Sequence, residues 1–141
     1  YKAIYNKKIF IYGNDFSTPD GTCIRDYIHI KDICAAIEKS IKYLTGNKKS
    51  MIFNIGNNKG LSNKEIINYI NKFVNAKINL EYVNRRKGDV SRLVCNSNKI
   101  KKKLNWSAKN SNLKKIINDE IKWVKKLKRM NLNRKFKNYL S

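Results

Sequence analysis

The chain has 141 residues, 41% of them hydrophobic, and a net charge of +22. That length suits one domain with one core, and that apolar content excludes a disordered chain. No apolar run approaches the roughly 20 residues that cross a bilayer, which excludes a helical membrane protein.

The charge reads in two ways. Lys, Asn and Ile supply 26, 21 and 19 residues, all with A- and T-rich codons, whereas Arg supplies only 6 of the 32 basic residues. A surface built for a polyanion draws on arginine for bidentate phosphate contacts. Compositional drift therefore explains the charge better than nucleic-acid binding, and no RRM, helix-turn-helix or zinc-finger signature is present. Cys23, Cys34 and Cys95 are odd in number, far apart and outside any Cys/His cluster. They read as small buried or half-buried residues in a reducing, cytoplasmic chain, with no disulfide framework and no metal site. The first apolar run is broken by Asn6, Lys7 and Lys8, so it does not read as a signal peptide; a start at Tyr1 rather than Met is expected of a truncated chain.

In chain order, residues 8–12, KIFIY, predict a short buried strand closed by Gly13. Residues 13–23 form a loop around the turn Pro19-Asp20-Gly21. Residues 24–30, IRDYIHI, alternate as an extended run, with Ile24, Asp26, Ile28 and Ile30 on one side and Arg25, Tyr27 and His29 on the other. Asp32 is expected to cap a helix to about Leu44, with Ile33, Ala36, Ile37, Ser40 and Ile41 at helical spacing and Thr45-Gly46-Asn47 ending it. Residues 51–55, MIFNI, predict a second buried strand, and 56–60 a loop.

Ser62 and Glu65 spell a capping box before a helix carrying Ile66, Ile67, Ile70, Phe73 and Val74. Residues 78–83 alternate as a strand, and RRKGD, 85–89, is a charged loop. Asn96 or Ser97 caps a short helix through Leu104, broken by Asn105-Trp106. A last helix covers 111–128, with Leu113, Ile116, Ile117, Ile121, Val124 and Leu127 on one face. The order is that of an α/β or α+β fold. Residues 1–128 carry it, and 129–141 form a basic tail expected to fray. The strands are few and short. They fit as additions to a sheet whose other strands are missing, so the apolar faces of 33–44 and 51–55 are expected to lack cover in part.

Arg25, Arg85, Arg86 and Arg92 are four of the six arginines, and three of them surround Asp89. A guanidinium pair for a diphosphate, with a carboxylate for ribose hydroxyls, is one reading; ordinary surface ion pairs are the other. His29, the single histidine, shows no positioned carboxylate or metal motif and reads as structural. Tyr27 and Lys31 spell Y-x-x-x-K, but in an extended run residues four apart lie about 13 Å apart, too far for a catalytic pair. No G-x-x-G-x-x-G is present; Gly56 and Gly60 give only G-x-x-x-G.

Three blocks carry a resemblance. GNDFSTPDGTCIRDYIHIKD (13–32), FNIGNNKGLSNKEII (53–67) and NRRKGDVSRLVCNSNKIKKKLNW (84–106) resemble, in order and spacing, blocks of the UDP-glucose 4-epimerases, which are extended short-chain dehydrogenase/reductases. The similarity covers roughly residues 8–125. It implies the C-terminal, substrate-binding portion of that fold, with the N-terminal Rossmann core mostly missing. By that resemblance Phe10, Ile11 and Tyr12 line the uracil, Arg25 and Arg86 bind the diphosphate, and Asp89 accepts from the ribose. Leu93 falls at the hexose pocket, where Tyr or a small residue is more usual, which leaves hexose against N-acetylhexosamine open. The resemblance implies UDP-glucose and UDP-galactose as ligands and a homodimer in the full enzyme. It places NAD and the catalytic Tyr and Lys in the missing N-terminal part, so this chain alone is expected to bind no NAD and to be inactive. An inactive UDP-sugar-binding remnant and a basic nucleic-acid module are the alternatives.

Overall fold

A computed structural model describes residues 1–47, 49–73 and 78–130. In chain order these form β1 (Ile9–Tyr12), β2 (Ile24–Asp26), α1 (Ile30–Asn47), β3 (Gly60–Ser62), α2 (Asn63–Asn71), β4 (Leu80–Val83), β5 (Arg92–Leu93), α3 (Asn98–Leu104) and α4 (Leu113–Arg129). The architecture is mixed α/β with two small sheets. β1 pairs in parallel with β4, Ile9 opposite Leu80 and Tyr12 opposite Val83. β2 lies between β3, antiparallel, and β5, parallel.

The core gathers Ala36 of α1, Ile100 and Leu104 of α3, and Trp106, with Ile28, Tyr43, Phe53, Ile55 and Ala108 against them. Trp106 can be buried because its indole N–H donates to the Asp32 carbonyl at 3.0 Å. Asn105 takes a left-handed φ of 46° and stops α3, a conformation that Asn tolerates better than most residues.

Several boundaries differ from the sequence reading. The extended run stops at Asp26, where the ladder to β3 ends at Gly60. The first helical turn then closes on His29, whose carbonyl accepts from Asp32 N at 2.9 Å. Asp32 therefore sits inside α1 rather than capping it. Residues 51–55 pair with no strand among the described residues; Phe53 and Ile55 reach the core, but Ile52 is 84% exposed. Strand propensity in that run has no ladder to join. Ser97 stands at the α3 N-cap, but its hydroxyl donates to Asn58 Oδ1 at 2.8 Å rather than capping the helix, and Asn96 Oδ1 accepts from Asn98 N at 3.0 Å. Phe73 falls past the end of α2, and Cys34 is exposed rather than covered. α4 extends to Arg129. Val74 and residues 131–141 of the basic tail lie outside the described residues.

α1 is apolar on two sides. Ala36 is buried toward α3, while a second stripe of Ile30, Ile37, Ile41 and Leu44 is exposed, Ile37 by 51% and Ile41 by 56%.

Candidate functional site

The carboxylates of 13–32 fasten that segment to distant parts of the chain. Asp20 Oδ1 accepts from Thr22 N at 2.9 Å and Thr22 Oγ1 at 2.7 Å, and its Oδ2 accepts from the Ser62 hydroxyl. Ser62 Oγ accepts from Glu65 N at 3.0 Å, and Glu65 Oε2 from Ser62 N at 2.6 Å, the capping box that starts α2. Asp26 accepts three backbone N–H bonds, from Asn57 at 2.9 Å, Asn58 at 3.1 Å and Cys95 at 3.2 Å. Asp32 accepts from Asn110 N at 2.8 Å, Asn110 Nδ2 at 2.7 Å and Ser111 Oγ at 2.6 Å. Burial pushes the Asp20 and Asp32 carboxyls up. Hydrogen bonds from Ser62 and Thr22, and from Ser111 and Asn110, outweigh it and hold both below the ordinary carboxylate value.

This scaffold holds β2, and with it Arg25, at the rim of a hollow of about 420 Å³. Phe10, Ile11 and Tyr12 of β1 and Ile66, Ile67 and Ile70 of α2 form apolar walls, and Arg25, Arg86 and Asp89 supply charge. Arg25 Nη1 donates to the Val90 carbonyl at 2.9 Å, and Nη2 faces Asp89 Oδ1 at 3.4 Å. Arg86 lies over the Tyr12 ring, its Cζ 3.6 Å from the ring centroid. Spacing alone could not say which of two neighbouring arginines enters the hollow. Arg85 turns away: its Nε donates to Asp15 Oδ1 at 2.6 Å, and its guanidinium covers the Phe16 ring at 4.1 Å. Gly13 makes room for this, with φ of 81°; a Cβ there would stand 2.5 Å from Phe16 and 2.7 Å from the Arg85 side chain. Arg92 is exposed on β5, outside the hollow's lining.

Leu93 lies elsewhere. It lines an adjoining, open hollow of about 770 Å³ with Phe53, Ile55 and Asn96, and Arg25 and Asp26 border that one too. Arg25 thus stands between the two spaces.

Sequence reasoning missed Tyr27 and Asn63, which line the first hollow and bond to each other, Tyr27 OH to Asn63 Oδ1 at 3.2 Å. Burial raises the Tyr27 phenol. The strand-spacing argument against a Tyr27–Lys31 pair loses its premise, because the chain leaves the strand at Asp26 and Lys31 is exposed on α1. His29 does have a carboxylate partner. Its Nδ1 accepts from Lys31 N at 3.1 Å, which leaves the proton on Nε2, 3.2 Å from Asp119 Oδ2. Asp119 is on α4, far along the chain, and no local signal pointed to it. His29 is buried and lines neither hollow.

This mixed α/β arrangement matches part of the extended short-chain dehydrogenase/reductase fold. A family model described as GDP-mannose 4,6 dehydratase matches residues 2–119, and the chain belongs to that family. It is 40% identical over 113 residues to a UDP-glucose 4-epimerase of Lacticaseibacillus casei, covering 80% of this chain and 34% of that protein. It is 38% identical over 115 residues to UDP-arabinose 4-epimerase 1 of Arabidopsis thaliana, covering 82% of this chain and 27% of that one. A solved UDP-glucose 4-epimerase from Bifidobacterium longum, in complex with NAD+ and UDP, superposes with a TM-score of 0.81 at 29% identity, over 89% of this chain and 38% of that chain. The chain spans about a third of the length of the curated relatives it matches.

Proposed function

We propose that this chain is the UDP-sugar-binding part of a UDP-glucose 4-epimerase, with residues 1–128 as the binding region. One observation carries the reading: Arg25 and Arg86, from separate segments, reach the same hollow as Asp89 and a wall of aliphatic and aromatic side chains. Planar guanidinium forks suit a diphosphate, each such contact contributing about 1.5–3 kcal/mol. The β1 and α2 wall suits a uracil face, and Asp89 accepts from ribose hydroxyls. The adjoining hollow receives the sugar; there Leu93 offers surface and no hydrogen bond. The UDP in the Bifidobacterium longum neighbour supports this reading. In its whole form the enzyme interconverts UDP-glucose and UDP-galactose, as a cytoplasmic homodimer.

The residues present do not fit NAD. α2 follows β3 directly, but its first N–H groups already have partners, Asn63 N on the Cys23 carbonyl, Lys64 N on Thr22 Oγ1 and Glu65 N on Ser62 Oγ, and α1 follows Tyr27-Ile28-His29 without a glycine. Neither offers the glycine-rich strand-to-helix turn that a dinucleotide's pyrophosphate needs. We assign these residues binding and orientation only, and place NAD and the catalytic Tyr and Lys in a further portion of the enzyme. The exposed second stripe of α1 supports such a portion, since a helix that is apolar on two sides belongs between two layers.

Calorimetric titration of the chain with UDP tests the reading. The expected result is one site of micromolar affinity, about −8 kcal/mol. No binding of UDP, with steeply salt-dependent binding of duplex DNA instead, would overturn it. Supplied with NAD+ and UDP-galactose, the purified chain is expected to show no turnover in a coupled assay for UDP-glucose. Measurable conversion would mean that it carries its own catalytic groups.

A further inference from the structure

We infer that Tyr12 is a positioning residue for Arg86: it acts on the phosphates through the guanidinium, beyond any contact with the base. The inference rests on the UDP reading above. β4 ends at Val83 opposite Tyr12, and Gly13 N donates to the Val83 carbonyl at 2.8 Å, so the ladder stops where the arginines begin. The two arginines then part, each onto an aromatic ring. Arg85 takes Phe16, with Asp15 holding its edge. Arg86 takes Tyr12, at 3.6 Å.

The difference between the arginines of the hollow is informative. Arg25 is fixed by the Ile24 and Val90 carbonyls and by Asp89. Among the described residues no hydrogen bond or ion pair holds the Arg86 guanidinium. Its orientation is set by the face of Tyr12. A ring face attracts the cation without consuming a donor, so all five N–H groups of Arg86 stay available to an anion. A carboxylate partner would fix the side chain equally well but would compete with the phosphates. Stacking therefore pre-organises Arg86 and leaves its edge free, which lowers the ordering cost of binding.

The test compares Tyr12→Leu and Tyr12→Phe against the unaltered chain, with UDP, inorganic pyrophosphate and uridine as probes. Tyr12→Leu, which also alters the wall beside the base, is expected to weaken UDP and pyrophosphate about tenfold and uridine by less than about threefold, while Tyr12→Phe, which keeps the face, binds all three like the unaltered chain. Equal weakening of UDP and uridine by Tyr12→Leu, with pyrophosphate unaffected, overturns the inference and leaves Tyr12 a base contact. Tyr12→Phe as weak as Tyr12→Leu also overturns it, since the hydroxyl would then be the active group. A second readout needs no ligand. The Arg86 Nε–H proton should show the upfield ring-current shift in NMR spectra of the unaltered chain and Tyr12→Phe, and lose it in Tyr12→Leu. The shift present in a chain that binds no UDP would sustain the stack and sink the UDP reading; its absence from the unaltered chain would sink the stack itself.

Discussion

Replacing Asp32 with alanine is expected to lower the free energy of unfolding by about 4 kcal/mol, read from urea midpoints at neutral pH. The carboxylate is 1% exposed and accepts from both nitrogens of Asn110 and from the Ser111 hydroxyl. Alanine would strand those donors, each at about 1–3 kcal/mol where water cannot reach them. The damage would spread, because Ser111 Oγ also accepts from His29 N at 2.9 Å, and Trp106 bonds the Asp32 carbonyl. The same contacts fix a pH dependence. Burial raises the carboxyl and hydrogen bonds from Ser111 and Asn110 lower it further, so the folded value lies below the ordinary 3.8. Folded Asp32 releases its proton more readily than unfolded Asp32. Its contribution is therefore complete above pH 3.8 and is lost as pH falls from there toward the folded value. Asp32→Ala should flatten the acid limb of the stability curve in that window, and Asp20, with the same sign, should keep part of it. A loss below about 1 kcal/mol at neutral pH, with an unchanged acid limb, would show that this network does not hold α1 to the Asn110–Ser111 turn.

What the sequence revealed depended on whether the cause was local. Ser62 and Glu65 are three residues apart and meet within one turn, so their capping box could be read directly. The helical spacing of Ile33, Ala36, Ile37, Ile41 and Leu44 was likewise visible, and so was the prospect that part of this apolar face would lack cover. The limit of β2 was not visible, because alternation continues through His29 while the ladder partners end at Gly60. MIFNI has the composition of a strand, but a strand exists only where another supplies its hydrogen bonds, and among the described residues none does. The link from His29 to Asp119 joins two parts of the chain that only the fold brings together. Arg25 and Arg86 came from the epimerase resemblance rather than from spacing, which could not separate Arg86 from Arg85. The aromatic neighbours Tyr12 and Phe16 make that distinction, and the Arg85–Phe16 contact has its room from a positive-φ glycine, Gly13, whose role only backbone geometry exposes.

The largest effect on binding is expected from Arg25→Ala combined with Arg86→Ala: UDP affinity should fall by about 100- to 10,000-fold, with uridine nearly unaffected. The two losses should not be equal. Arg86→Ala removes a guanidinium that no carboxylate neutralises among the described residues. Arg25→Ala removes one that faces Asp89 at 3.4 Å, and so also bares a carboxylate at the phosphate site. Repulsion then adds to the lost attraction, and Arg25→Ala should be the worse single variant. Arg25→Lys should recover the charge but not the fork, since an ammonium cannot hold Val90, Asp89 and a phosphate oxygen in one plane. If both arginines grip one diphosphate, their effects are coupled, and the double variant should lose less than the singles combined. Arg25 also bonds the Val90 carbonyl, so urea midpoints must be measured beside the titrations to separate a loosened 85–92 loop from a lost ligand contact. UDP bound by the double variant within about threefold of the unaltered chain would mean that the phosphates lie elsewhere, and the shared hollow would lose its claim to the nucleotide.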